Sequence, residues 1–185
     1  MDSMDRTTDE ELVKKVLSGQ KELFYHLITR YEAKLKRYIL RITNRHGEVE
    51  DILQNVFLKA YKNLPTFNDN LKFSSWVYRI AHNESVNIIG SSFIQRFVSL
   101  PEWFDMGSSD NVEERIDDEQ MKRKLKECVE RLEVKYKEPL VLFYYEEKAY
   151  GEISDILRIP VRNVGVLIHR GRLQVKKMCY EKNNR

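Results

Sequence analysis

The sequence predicts an all-α fold of two small helical domains joined by an acidic, flexible linker. Apolar residues recur every three or four positions in both halves of the chain, and no strand-like alternation of useful length interrupts them. Between the halves, residues 91–119 are rich in Ser, Asp and Glu and contain the helix breakers Pro101 and Gly107. We therefore expect one domain at residues 1–92, a linker at 93–117 and a second domain at 118–185.

Two helices are predicted at the start of the chain. The run Thr8-Asp9-Glu10-Glu11 places acidic residues behind a capping residue, which favours a helix start with Thr7 or Thr8 as the cap. Residues 21–43 then carry apolar side chains at helical spacing: Leu23, Phe24, Leu27, Ile28, Tyr31, Leu35, Tyr38, Ile39 and Ile42.

The clearest amphipathic helix covers residues 48–64 and is ended by Pro65. Its apolar stripe consists of Val49, Ile52, Leu53, Val56, Phe57, Ala60, Tyr61 and Leu64, and its polar side carries Glu50, Asp51, Gln54, Asn55 and Lys59. A loop follows at residues 65–72. Another helix is expected to begin near Ser74, with Trp76, Val77, Ile80, Ala81 and Glu84 along one side.

The second half predicts four helices, of which the last two form a helix-turn-helix. They cover roughly residues 117–132, 135–147, 150–158 and 161–179. Pro160 suits the turn, because the missing N–H of a proline costs no hydrogen bond at a helix start. A short helix, a tight turn and a longer basic helix are typical of DNA-binding proteins.

The last predicted helix has an apolar centre, Gly165-Val166-Leu167, where polar side chains of a DNA-reading helix would meet base edges. A helical wheel places Leu167 at the flank. It places Val161, Val164, Ile168, Gly171, Val175 and Met178 on the core side, and Arg162, Val166, His169, Arg170, Leu173 and Lys177 opposite. We therefore expect a basic outer face that Val166 and Leu173 interrupt.

Composition and charge indicate a cytoplasmic protein. The polar N-terminus is no secretory signal, and no apolar run approaches the roughly 18 residues of a membrane helix. Cys128 and Cys179 stand alone and far apart, without a disulfide framework or a paired-Cys zinc site, and Cys128 is expected in the core. From Arg158 to the end there are eight basic residues and one acidic residue. This indicates either a polyanionic partner or a solvated basic face.

Two motifs, one on each side of the linker, resemble the bacterial sigma factors of the extracytoplasmic-function type. The first is VEDILQNVFLKAY from Val49, followed by FSSWVYRIAHN from Phe73. The second is LVLFYYEE from Leu140, followed by the helix-turn-helix residues up to Arg172. The resemblance implies a protein that binds core RNA polymerase through its β′ and β subunits, directs it to promoter DNA and opens the −10 element. It also implies no enzymatic activity, cofactor or small-molecule substrate, and control by an anti-sigma factor. Separately, the four histidines have no ligand-like spacing with Cys or acidic residues, so we expect no metal site.

The resemblance assigns roles to three groups of residues. The polar side of residues 48–64 would bind polymerase through Asp51, Gln54, Asn55 and Lys59. The loop and the helix after it would hold an unpaired −10 base through Asn68, Trp76, Tyr78, Arg79, His82 and Asn83. The helix-turn-helix would contact the −35 element through Arg162, Asn163, Val166, His169, Arg170 and Arg172.

Two departures from the family pattern leave alternatives open. No basic residue lies between Asn83 and Arg96, where related proteins often carry a basic run, and the last helix has its apolar centre. A sigma-like protein with weakened promoter recognition, acting through protein contacts, would fit both departures. A free-standing helix-turn-helix regulator is a further alternative, although such a regulator needs no docking helix at residues 48–64. Arg158 stands where the family commonly has a turn Gly, so a positive φ there would cause modest strain.

Overall fold

The computed structural model describes residues 7–90 and 119–180, and the chain divides into two compact units near Gly90. The described residues form α-helices and short 3-10 turns without a strand, so the predicted all-α fold is confirmed. The predicted acidic linker, and the basic residues Lys182 and Arg185, lie outside the described residues. No helix in the described ranges is long and apolar enough to span a membrane.

Within residues 7–90, the N-terminal unit contains four α-helices. They are α1 (Asp9–Leu17), α2 (Phe24–Thr43), α3 (Val49–Asn63) and α4 (Phe73–Ile89), with 3-10 turns at Lys21–Leu23, His46–Glu48 and Leu64–Thr66. Helices α2, α3 and α4 pack on one another, and α1 packs against α2. The core between them includes the buried rings of Tyr38 and Tyr78, whose centroids lie 5.2 Å apart in an edge-to-face arrangement.

Local sequence signals account for the start of α1 and for the orientation of α3. Thr8 is the cap of α1: its Oγ1 accepts a hydrogen bond from the Glu11 backbone N–H at 3.2 Å, and the Glu11 carboxylate accepts one from the Thr8 N–H at 3.0 Å. The predicted stripe of α3 is buried at Val49, Ile52, Leu53, Val56 and Ala60. The polar side of α3 therefore faces outward, as predicted.

The C-terminal unit contains four described α-helices: α5 (Glu119–Glu130), α6 (Val134–Tyr144), α7 (Tyr150–Leu157) and α8 (Val161–Tyr180). Helix α8 packs against α5 and α6. Gly171 lies where α8 meets α6, and a Cβ there would come within 2.8 Å of Leu140 Cδ1 and 3.2 Å of the Tyr136 carbonyl oxygen. The close approach of these two helices thus requires a residue without a side chain.

The turn between α7 and α8 has the expected backbone. Arg158 adopts a φ of 55°, which confirms the positive φ considered from the sequence. The Ser154 hydroxyl donates a hydrogen bond to the Ile159 carbonyl oxygen at 2.6 Å, and the Asn163 N–H donates one to the Pro160 carbonyl oxygen at 2.8 Å. The first bond spans the turn, and the second lies in the first turn of α8.

The cysteines correct one expectation from the sequence. Cys128 in α5 and Cys179 in α8 form a disulfide with their Cα atoms 6.2 Å apart, so the expectation that they stand alone was wrong. Both are buried, which confirms the core position predicted for Cys128. The packing of α8 on α5 brings together residues 51 positions apart, and sequence spacing alone gives no sign of that contact.

Candidate protein and nucleic-acid interfaces

The outward side of α3 presents the residues that the sequence assigns to protein docking. Asp51, Gln54, Asn55 and Lys59 are all exposed on this one helix. Lys59 is engaged within the unit, since its Nζ lies 2.6 Å from a carboxylate oxygen of Glu84 in α4. Asp51, Gln54 and Asn55 make no side-chain hydrogen bond to another described residue, so their carboxylate and amide groups face solvent.

The loop between α3 and α4 is held by a cluster of three aromatic rings. Phe67 lies 5.8 Å from Phe73 and 5.5 Å from Trp76, and Phe73 lies 5.6 Å from Trp76, between ring centroids. Directly after Phe67, the exposed Asn68 accepts a hydrogen bond on its side-chain oxygen from the Asn70 N–H at 3.0 Å. The loop therefore presents Asn68 and its neighbours from a support formed by this aromatic cluster.

Helix α4 brings some of its predicted base-contacting residues to the surface and buries one. Asn83 is exposed, whereas Trp76, Arg79 and His82 are half-buried. Tyr78 is only 1% exposed, with its ring against Tyr38, so the prediction that Tyr78 contacts a base is wrong. The physical reason is that the buried side of α4 also contains Ala81 and Ser85, three and seven residues further on, and so includes position 78.

Helix α8 exposes Arg162 and His169, while Asn163, Val166, Arg170 and Arg172 are half-buried. The helical wheel was wrong at two positions. Val161, predicted in the core, is 50% exposed at the start of the helix, and Leu167, predicted at the flank, is 1% exposed. Because Val166 is half-buried, Leu173 is the apolar residue that interrupts the outer face, with 53% exposure.

Gly165 has a packing reason that the sequence did not reveal. A Cβ at this position would lie 3.3 Å from Cε2 of Tyr150, a residue at the start of α7. Gly165 thus makes room for an aromatic ring where the two helices of the helix-turn-helix meet.

Two acidic residues of α1 connect this helix to α2 and α4. From the sequence, they were predicted only to form part of a helix start. Asp9 accepts a hydrogen bond from Arg30 Nη1 at 2.7 Å and another from the Tyr31 hydroxyl. Burial, together with the hydrogen bond to Asp9, raises the pKa of the Tyr31 phenol. Glu10 accepts a hydrogen bond from the Phe73 backbone N–H at 2.9 Å. No short-range signal could identify these partners, because they lie between 21 and 63 residues away.

Two buried charged residues of α6 were also missed. Lys137 and Glu138 are both buried, and burial lowers the pKa of the Lys137 amine against the opposing effect of Glu130 and Glu138. Within the described ranges, no group of three or more His, Cys, Asp and Glu side chains could hold a metal ion.

Comparison with known proteins identifies the family. The Sigma-70 region 2 model matches residues 27–91, and the Sigma-70 region 4 model matches residues 122–175. The ECF RNA polymerase sigma factor SigW of Bacillus subtilis is 32% identical over 174 residues, which is 89% of this chain and 93% of SigW. The chain belongs to the ECF family of RNA polymerase sigma factors.

Other relatives of this sigma factor agree. The ECF RNA polymerase sigma-E factor of Escherichia coli is 28% identical over 179 residues, covering 91% of this chain and 92% of that protein. Among solved structures, CnrH in complex with the cytosolic domain of CnrY superposes with a TM-score of 0.69 at 18% identity and covers 96% of this chain and 99% of CnrH. RpoE of Bartonella quintana in complex with the anti-sigma factor NepR gives 0.61 at 15% identity and covers 88% and 98%. At these identities the two structures establish the shared fold.

The two family matches follow the helices of this sigma factor unevenly. Region 2 covers most of α2 and all of α3 and α4, and region 4 covers most of the four helices of the C-terminal unit. Helix α1 lies before residue 27 and outside both matches. Asp9 and Glu10 therefore lie in a part of the chain that the region 2 match does not cover.

Proposed function

We propose that this sigma factor binds core RNA polymerase, directs it to promoters and opens the −10 element. The observation that carries this proposal is the outward polar side of α3, which presents Asp51, Gln54 and Asn55 above a buried apolar stripe. The protein acts in the cytoplasm, where polymerase and chromosomal DNA are found. It contributes binding and strand separation, without catalytic chemistry or a cofactor of its own.

Polymerase docking is assigned to α3, with the β′ subunit as the partner. Carboxylate and amide groups on a rigid helix can form charge-assisted and neutral hydrogen bonds with a polar partner helix. Lys59 has a smaller part in this surface, because its ammonium already has a carboxylate partner in Glu84. Asp51 and Gln54, one helical turn apart, are the central pair of the proposed interface.

Base capture at the −10 element is assigned to the loop around Asn68 and to the exposed parts of α4. Asn68 lies in the loop supported by the aromatic cluster of Phe67, Phe73 and Trp76. His82 and Asn83 lie further along α4. Amide groups can bond the edge of an unstacked base, and a half-exposed indole can stack on its face. Tyr78 has no part in this step.

Contact with the −35 element is assigned to α8. Arg162 and His169 lie on its exposed side and can bind phosphate oxygens, while the half-buried Asn163 and Val166 are the residues we assign to base edges. R162A should weaken promoter binding and reduce the slope of log K against log salt concentration by about 1. L173A is the matched control on the same face, and an unchanged slope in R162A would contradict the assignment.

An anti-sigma factor is the proposed regulator. Bartonella RpoE is seen in complex with the anti-sigma factor NepR, and CnrH with the cytosolic domain of CnrY. In this chain the exposed Leu173 is an apolar side chain on the outer face of α8 that a protein partner could cover.

The deciding experiment is run-off transcription with purified bacterial core polymerase and a library of genomic upstream fragments. Transcripts that require this protein support the proposal. D51A/Q54A should abolish them together with core binding, while K62A, an exposed residue of the same helix, should retain both. Core binding without transcripts would favour the protein-contact alternative. Duplex binding without core binding would favour a free-standing regulator.

A further inference from the structure

The first turn of α4 takes its capping acceptor from a distant helix. The residue before the helix, Lys72, makes no side-chain capping hydrogen bond. The backbone N–H of Phe73, the first residue of α4, instead donates to a Glu10 carboxylate oxygen at 2.9 Å. An acceptor at this place satisfies one of the N–H groups that every helix start leaves unpaired, and its negative charge is favoured there.

Helix α1 is anchored well enough to hold Glu10 in place. Leu12, Val13 and Val16 are buried, the Thr8 capping box fixes the first turn, and Asp9 binds Arg30 and Tyr31 of α2. Glu10 therefore reaches α4 from a helix with its own packing and hydrogen bonds, which reduces the entropy lost in forming the contact.

Phe73, whose backbone N–H binds Glu10, is also the central ring of the aromatic cluster that supports the loop. The Phe73 ring is 1% exposed and lies 5.6 Å from Tyr31, 5.8 Å from Phe67 and 5.6 Å from Trp76. Because Asn68 directly follows Phe67, a shift of Phe73 would move the position from which the loop presents Asn68. The chain of contacts runs from Glu10 through Phe73 and Phe67 to the loop.

We propose that Glu10 is a positioning residue for promoter opening: from α1, it fixes the start of α4 and so orients the loop at residues 65–72 for base capture. This inference rests on the −10 role proposed above. Glu10 acts through Phe73 and does not itself touch DNA. Its carboxylate also occupies the first N–H of α4, so a promoter phosphate cannot bind that group.

A second contact between α1 and the loop provides a matched control. Lys14 Nζ lies 3.4 Å from a carboxylate oxygen of Asp69, but the two side chains are 65% and 57% exposed. Exposed ion pairs contribute little to fixing geometry. K14M should therefore behave as wild type, although it removes a direct contact between α1 and the loop.

The test uses the full-length protein with core polymerase on a promoter found by the run-off experiment. Open complex is measured by the permanganate reactivity of unpaired thymines, and core affinity is measured separately. We expect E10A to form open complex about tenfold less well, with core affinity unchanged, since a hydrogen bond to a charged group is lost. E10Q keeps an acceptor of the same length and should stay within about threefold of wild type. E10D withdraws the carboxylate by one methylene and should resemble E10A.

The outcomes separate this inference from the function on which it rests. If wild type fails to open any promoter, the proposed function fails and the inference falls with it. If wild type opens the promoter and E10A and E10D do so equally well, the positioning role alone is overturned. Equal losses in E10A and E10Q, or a loss in K14M as large as in E10A, would also overturn it. Should E10A prove unfolded by circular dichroism, E10D is compared with E10Q instead: a loss in E10D alone supports the positioning role, and equal opening by the two variants overturns it.

Discussion

Replacing each glycine of α8 with alanine should change stability in opposite directions. Either substitution gains about 0.8–1 kcal/mol of helix propensity. At Gly171 the new Cβ would lie 3.2 Å from the Tyr136 carbonyl oxygen, a backbone atom, and 2.8 Å from Leu140 Cδ1. Overpacking of this kind costs about 1–3 kcal/mol. Because a backbone oxygen cannot move aside easily, the cost should lie in the upper part of this range, about 2–3 kcal/mol. We therefore expect G171A to be less stable than wild type by about 1–2 kcal/mol after the propensity gain is subtracted.

At Gly165 the one close atom among the described residues is Cε2 of Tyr150, at 3.3 Å, and that tyrosine is 40% exposed. The ring can move outward, so G165A should retain most of the propensity gain and stabilise the unit by up to about 1 kcal/mol. Hydrogen exchange of the α8 amides in mild denaturant measures the C-terminal unit alone. Shifts of the same sign in both variants, or a G171A protein as stable as wild type, would refute the packing argument.

Three further predictions concern the C-terminal unit. R158G should stabilise it by about 0.5–1 kcal/mol, because Gly adopts the positive φ without strain; R158A, which keeps the Cβ, should show no gain in denaturant titrations. Reducing the Cys128–Cys179 bond opens a crosslink across 51 residues and should cost about 4 kcal/mol; unfolding with and without dithiothreitol measures this, with C128S/C179S as the control that dithiothreitol leaves unchanged. K137M should be more stable at neutral pH. The stability of the wild type should rise with pH between the lowered pKa of folded Lys137 and its ordinary value of 10.5, because the unfolded chain binds more protons than the folded one in this window. K137M should lack this rise, and an identical pH profile of the two proteins in denaturant titrations would contradict the prediction.

The sequence predicted those parts of the fold that depend on local patterns. The stripe from Val49 to Ala60 is periodic over about three turns, so the sequence predicted both the helix and its outward side. Thr8 and Glu11 are three residues apart, and their capping box is a local arrangement. Pro160 marked the turn before α8 for a similar reason. In each case the interacting groups are close in the sequence.

The errors concern residues whose environment is set by other helices. Tyr78 was placed at the surface because its aromatic ring suggested base stacking, but packing of α4 on α2 buries it against Tyr38. The disulfide and the Glu10–Phe73 contact join residues 51 and 63 positions apart. Helical periodicity determines which residues share a face, but it does not determine which distant residue packs against that face.

The apolar centre of α8 was the main reason to doubt that this helix contacts DNA, and the structure gives it another explanation. Leu167 is a core residue, Gly165 admits the Tyr150 ring, and Val166 is half-buried. These residues therefore reflect how α8 packs within its own unit. The surface proposed to contact DNA carries the exposed Arg162 and His169, which suit phosphate contacts, and few groups that distinguish bases. Such a helix can still place the protein on a promoter, while most of the sequence discrimination would then fall to the loop that Glu10 and Phe73 hold.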